Sequence, residues 1–153
     1  MNAPISESDE ILALAKERGR IKALPYAGEV TPVEAQKLFA ENGAKIIDVR
    51  SRFENEYIGR IPGSTLIEWK YWPSGELNEH FLAELKHQCR PDHIILFLCR
   101  SGVRSASAAT VAAAAGFEHA FNILEGFEGD LDENSRRGNV GGWRKAGLPW
   151  IQS

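Results

Sequence analysis

The hydrophobic positions of this chain recur with a helical period in some stretches and run unbroken in others. Ile11, Leu14 and Ala15 share one helical face, with Glu7, Asp9 and Glu10 before them and Lys16 and Arg18 after. That charge order suits a helix dipole and predicts a helix over residues 8–18, stopped at Gly19. Thr31-Pro32-Val33-Glu34 is a capping box with proline at the first helical position, followed by the apolar stripe of Ala35, Leu38 and Phe39 and a stop at Gly43. Ala44-Lys45-Ile46-Ile47-Asp48-Val49 reads as a short buried strand, and Thr65-Leu66-Ile67 is a short apolar piece. Phe81 to Gln88 predicts a helix ended by Pro91. Arg104 to Ala115 predicts an alanine-rich helix stopped at Gly116, and Ala120 to Leu124 a last strand.

His93 to Leu98 is the strongest strand signal. A run apolar on both faces fits a central strand of a parallel sheet covered by helices. Strands alternating with helices give an α/β fold with right-handed crossovers. There is no internal repeat. Glu125 to Gly142 is rich in glycine and charge, with acids at Glu128, Asp130, Asp132 and Glu133 and basic residues at Arg136 and Arg137. Loops this long are usually functional or disordered.

Composition narrows the class. A chain of 153 residues suits one domain, long enough to bury a core without disulfides or a structural metal. With 43% hydrophobic and 25% charged residues it is neither a disordered tail nor a fibre. Eighteen basic against 21 acidic residues give a net charge of −3, so no nucleic-acid or membrane partner is expected and any bound anion must be held locally. Two cysteines are too few for a disulfide framework and fit a reducing compartment. The first seven residues lack the basic start and apolar run of a signal peptide. The longest apolar stretches, Ile94 to Cys99 and Ala106 to Gly116, fall short of the ~18–20 residues of a membrane helix. A soluble, cytoplasmic protein is expected. His80, His87, His93 and His119 show no paired ligand spacing with each other or with the cysteines, so no metal is expected.

The candidate chemistry lies at Cys99-Arg100-Ser101-Gly102-Val103-Arg104, between the most apolar strand and the alanine-rich helix. Ligands of open α/β sheets bind at the carboxyl ends of strands, and a helix N-terminus there favours an anion. The thiolate is the nucleophilic form of cysteine, and a helix N-terminus with neighbouring arginines favours it. Gly102 lets the loop amides turn inward as a cradle, Ser101 and Ser105 add hydroxyls, and Arg100 and Arg104 supply charge for an anionic substrate. Which arginine points inward is not readable from sequence. Cys89 stands at the other end of the strand, about 20 Å away at ~3.3 Å per residue, and reads as a structural residue.

These residues resemble the rhodanese, or thiosulfate sulfurtransferase, family in its single-domain form. Ile46 to Arg50 resembles the family's Asp-Val-Arg strand end, and Gly59-Arg60-Ile61-Pro62-Gly63-Ser64 its Gly-His-Ile-Pro-Gly-Ala turn. Cys99 to Arg104 fits its six-residue active loop, and Asn122 to Gly126 with Gly142-Trp143 and Gly147-Leu148-Pro149 its C-terminal signature. The similarity spans about Thr31 to Trp150. Arg60 stands where the family has histidine, Ser64 where it has alanine, and the segment near 127–141 is longer than the family's. That segment is read either as a solvated surface loop or as a lid with Arg136 or Arg137 reaching the substrate. Residues 1–27 read as a helical extension and 28–153 as the family domain.

The resemblance implies an α/β fold with a five-stranded, mainly parallel sheet and helices on both faces. It implies sulfur transfer from a small anionic donor such as thiosulfate, through a Cys99 persulfide, to cyanide or a thiol, including a protein thiol, with no cofactor. Arg100, Ser101, Gly102, Val103 and Arg104 are the expected substrate cradle. A sulfur relay between proteins is the alternative. A phosphatase or arsenate reductase of the same fold fits less well, because phosphatase loops have five residues between Cys and Arg and this loop has four, with Leu98 in place of the preceding His. Of the four tryptophans, Trp69 and Trp72 are candidates for the border of the site, and Trp143 and Trp150 for packing.

Overall fold

The computed structural model describes residues 5–153, so Met1 to Pro4 of the N-terminal stretch read above lie outside the described residues. Helix α1 (Glu7–Ile21) is capped by Ser6, whose hydroxyl accepts the Asp9 N–H at 3.1 Å. It runs on through Gly19, which is not the stop the sequence suggests. A Cβ on Gly19 would stand 2.4 Å from the Ala27 carbonyl oxygen, and one on Gly28 2.0 Å from that of Ala15. The two glycines let α1 lie directly on β1 (Gly28–Val30), a buried strand too short and too polar to register in an apolar pattern. Arg18 then ties α1 to its neighbours, donating to Glu29 O at 3.0 Å and to both Glu34 oxygens at 2.6 and 3.0 Å.

Helix α2 (Pro32–Glu41) starts at the capping box read from the sequence. Thr31 Oγ1 accepts the Glu34 N–H at 3.2 Å, and Glu34 Oε1 accepts the Thr31 N–H at 2.9 Å. The remaining elements are β2 (Lys45–Asp48), β3 (Thr65–Leu66), α3 (Phe81–Gln88), β4 (Ile95–Leu98), α4 (Val103–Ala114) and β5 (Ala120–Ile123). A single π-helical turn at Glu54–Ile58 follows β2 and is signalled by no periodicity in the sequence.

The five strands form one sheet in the order β1-β5-β4-β2-β3, with every neighbouring pair parallel. β4 lies at its centre and is buried along its length, as its unbroken apolar run implies. Alternation along the strands divides the interior in two. Ile46, Leu96, Leu98, Phe121 and Ile123 pack with α1 and α2, while Ile47, Ile95, Phe97 and Ala120 pack with α3 and α4. Among the described residues no helix is long and apolar enough to cross a membrane.

Cys89 caps the end of α3, ahead of β4, and Cys99 follows β4, so the two cysteines stand at opposite ends of the sheet; both are free. Burial pushes the Cys89 thiol up, against the smaller opposing pull of Lys45.

Candidate active site

β2 and β4 run side by side, Asp48 opposite Leu98, so Arg50 and Cys99 emerge at the same edge. Cys99 is almost fully buried, and its Sγ accepts the Gly102 N–H at 3.0 Å. That geometry needs Gly102 at φ 109, where an L side chain is strained, and Gly102 is also the N-cap of α4. Ser105 Oγ lies 3.2 Å from the sulfur and 2.6 Å from Asn122 Oδ1. One hydroxyl proton serves one acceptor at a time. Ser105 can therefore turn from Asn122 to the sulfur as negative charge gathers there. Asn122 Nδ2 donates to Gly102 O at 3.2 Å and steadies the loop from β5. Sequence reasoning missed this role, although a lone polar residue between Phe121 and Ile123 was the available signal.

The two loop arginines do different things. Arg104 is half-buried and forms a two-pronged pair with Glu54 of the π-helical turn, at 2.7 and 2.9 Å. The hydrogen bonds it donates to Glu54 raise the Arg104 pKa further against its burial, so it stays charged at the end of the loop. Arg100 is exposed and lines a cavity at the sheet edge, making no side-chain hydrogen bond among the described residues. Ser101 is half-buried, and Val103 stands on the surface at 73% exposure.

Glu54 carries a pH consequence. Burial pushes its carboxyl up, but the hydrogen bonds and charge of Arg104, with Ser51 and Arg50 behind them, outweigh burial and hold it below the ordinary value. A carboxyl lowered by folding contributes stability above its unfolded pKa, about 4.3, and loses it as the pH falls through the lower folded value. We expect the urea midpoint to fall as the pH drops below about 4, and Glu54→Gln to flatten that limb while lowering the midpoint at neutral pH. An acid limb unchanged by the substitution would contradict the pairing.

The cavity measures about 290 Å³ and is lined by Ser51, Phe53, Glu54, Ile58, Trp72, Arg100, Glu128 and Arg137. Phe53 and Trp72 stack in its wall with ring centroids 4.9 Å apart. Trp72 thus borders the site, whereas Trp69 packs edge-on against Phe81 in the core, at 5.1 Å. Trp143 is fully buried and donates its Nε1–H to Pro149 O at 2.8 Å.

The start of the long loop packs against the Cys99 loop, while most of residues 130–140 are exposed. Phe127 N donates to Cys99 O at 2.8 Å and Glu128 N to Arg100 O at 2.9 Å. A Cβ on Gly126 would meet Cys99 O at 2.5 Å, so the close approach depends on that glycine. Arg137 lines the cavity; Arg136 is exposed and absent from its lining. Arg60 lies against the C-terminus, where it pairs with Ile151 and donates to Ser153 Oγ at 3.0 Å. Among the described residues no cluster of three His, Cys, Asp or Glu is placed to hold a metal.

Comparison with known proteins adds to this geometry. The model of the rhodanese-like domain matches residues 31–133. The uncharacterized protein RP600 of Rickettsia prowazekii is 34% identical over 117 residues, covering 74% of this chain and 87% of the relative. The thiosulfate sulfurtransferase GlpE of Actinobacillus succinogenes is 26% identical over 121 residues, covering 79% and 87%. Among solved structures, the crystal structure of Rv0390 from M. tuberculosis matches with a TM-score of 0.75 and 41% identity, over 84% of this chain and 99% of that one. The family match runs from the start of α2 through the Cys99 loop and past β5, taking in four of the five strands, and the chain belongs to the rhodanese-like domain family.

Proposed function

We propose that the protein is a sulfurtransferase that carries sulfane sulfur as a persulfide on Cys99. The observation that carries the reading is the Gly102 amide, aimed at the Cys99 sulfur at 3.0 Å in a six-residue loop. Family membership and distant relatives named thiosulfate sulfurtransferase support the same class of reaction. The Cys99 thiolate attacks the outer sulfur of a small anionic donor such as thiosulfate. A new S–S bond forms, the donor's S–S bond breaks, and sulfite leaves with the electron pair. An acceptor thiolate or cyanide then takes the outer sulfur and returns the Cys99 thiolate, which is covalent catalysis with ping-pong kinetics. The loop amides hold negative charge at the sulfur in both halves. Arg100 draws the anion into the cavity, and Arg104 holds the loop in shape through Glu54.

A relay role, taking persulfide from one protein and giving it to another, uses the same chemistry with a protein thiol as partner. Phosphate-ester hydrolysis is disfavoured by the four-residue spacing and by Arg104, whose fork is already filled by Glu54. Intact mass after incubation with thiosulfate tests the reading. A gain of about 32 Da, mapped to Cys99, is expected for one transferred sulfur. Loading by a cysteine desulfurase but not by thiosulfate would favour the relay, and no loading by either would overturn sulfur transfer.

A further inference from the structure

Asn122 is a polar side chain on a buried strand, 5% exposed between Phe121 and Ile123, and the sulfur-transfer steps above do not use it. Its neighbours fix which amide atom is which. Gly102 O can only accept, so the atom 3.2 Å from it is Nδ2, and Oδ1 faces Ser105 Oγ at 2.6 Å. Oδ1 can only accept as well, so this contact requires the Ser105 proton to lie toward Asn122. Ser105 then turns a lone pair, not a proton, to the Cys99 sulfur 3.2 Å away. Ser105 is fully buried, so bulk water offers its hydroxyl no other partner.

Two arrangements satisfy these groups, one for each charge on the sulfur. With Cys99 as a thiol, its S–H donates to Ser105 Oγ, Ser105 donates to Asn122 Oδ1, and every proton has an acceptor. With Cys99 as a thiolate, the sulfur needs donors, and the Gly102 amide supplies one at 3.0 Å. Ser105 supplies a second only by leaving Asn122, whose Oδ1 is then buried without a donor. The charged sulfur and the Asn122 carbonyl therefore compete for one proton. The charges around them come from other elements. Arg104 of α4 acts on Cys99 and on Asp48 of β2. Tyr26, ahead of β1, takes a hydrogen bond from Asn122; burial first, and Glu29 second, push its hydroxyl up against that bond and against Lys22, so Tyr26 stays neutral beside the pair.

We propose that Asn122 is a positioning residue for sulfur transfer: by claiming the Ser105 proton it opposes charge on the resting Cys99 sulfur, and it yields that proton when the sulfur becomes a thiolate. The proton lost by Cys99 goes to solvent water. Ser105 keeps its own throughout and changes only the acceptor it faces. The inference rests on Cys99 as the sulfur carrier and adds what decides when that sulfur is charged.

The thiolate ultraviolet absorbance of the full chain, followed against pH, tests the proposal without sulfur transfer. Each protein is measured against its own Cys99→Ser counterpart, so that Cys89 and the tyrosines cancel. Asn122→Ala is expected to lower the midpoint of the Cys99 transition by about 0.5–1 pH unit, the size of one net hydrogen bond lost from the thiol state. A side chain that merely steadied the loop would raise the midpoint on removal, because the Gly102 amide would be less well aimed at the charged sulfur. Asn122→Val, whose β-branched side chain suits a strand, is expected to shift it the same way as Asn122→Ala. Ser105→Ala is expected to raise the midpoint by about 0.5–1 pH unit, since a donor to a charged sulfur outweighs an acceptor for a neutral one. In the Ser105→Ala background, Asn122→Ala is expected to add less than about 0.3 pH unit, because its effect runs through the missing hydroxyl. A midpoint that rises or stays put in the folded Asn122 variants, an equal Asn122 shift with and without Ser105, a midpoint unmoved by Ser105→Ala, or no Cys99 transition in wild type overturns the proposal. Failed loading by thiosulfate with these shifts intact would instead remove the sulfurtransferase reading, so the two failures give different results.

Discussion

Cys99→Ser abolishes sulfur transfer from thiosulfate to cyanide, leaving at most about a thousandth of the wild-type rate, as expected when a covalent nucleophile is removed. The substitution keeps the size of the side chain and leaves an oxygen able to accept the Gly102 N–H now held by sulfur. What it removes is the capacity to carry a sulfane sulfur, since a hydroxyl is a weak nucleophile. Cys89→Ala is the matched control. Cys89 is buried at the other end of the strand, and the substitution should leave the rate within about twofold while costing some stability through the small cavity it opens. Steady-state assays on both variants, with thermal melts to show that each is folded, check the pair. Residual activity near wild type in Cys99→Ser, or equal loss in both variants, would place the chemistry elsewhere.

Where one period dominated, the fold could be read from the sequence alone. The Thr31 capping box fixed the start of α2, the unbroken run before Cys99 identified the central strand, and the spacing of Phe81 to Gln88 matched α3 at both ends. Legibility ended where one residue serves a distant one. Gly19 looks like a helix stop until Ala27 is known to lie against it. β1 has no pattern because its burial comes from α1 and β5, not from its own composition. The candidate site divides in the same way. Cys99 and its loop were visible because their chemistry is contiguous. Glu54, Asn122 and Glu128 were not singled out for the site, because each comes from a different element and takes its role from a partner far away in sequence. The two loop arginines looked equivalent in sequence and are separated only by Glu54, which occupies one and leaves the other to the cavity.

Arg50→Met destabilises the fold by about 3–5 kcal/mol, the cost of leaving one member of a buried ion pair alone. Asp48 and Arg50 are both fully buried at the end of β2. Arg50 Nε and Nη2 donate to the two Asp48 oxygens at 2.9 and 2.7 Å, and Nη2 also donates to Gly59 O at 2.7 Å. Without the guanidinium, the Asp48 carboxylate keeps the Asn55 Nδ2–H at 3.1 Å and the backbone N–H of residue 50 at 3.1 Å, too little for a charge with no access to water. A domain of this size is stable by about 5–15 kcal/mol, so the loss is a large fraction of the total. At a urea m-value of about 2 kcal/mol/M, the midpoint falls by about 1.5–2.5 M. Asp48→Asn combined with Arg50→Met removes both charges, and the double variant is expected to be more stable than the sum of the single losses allows, by about 1–3 kcal/mol. Arg50 also lies over the Phe127 ring, 4.4 Å from its centroid, with its Nη1 lacking a hydrogen-bond partner among the described residues. Phe127 N donates to Cys99 O at 2.8 Å, so the same substitution is expected to loosen the start of the long loop and to lower activity in the protein that remains folded. A single-variant loss below about 1 kcal/mol, or strict additivity in the double variant, would show that the pair does not hold this edge of the sheet together.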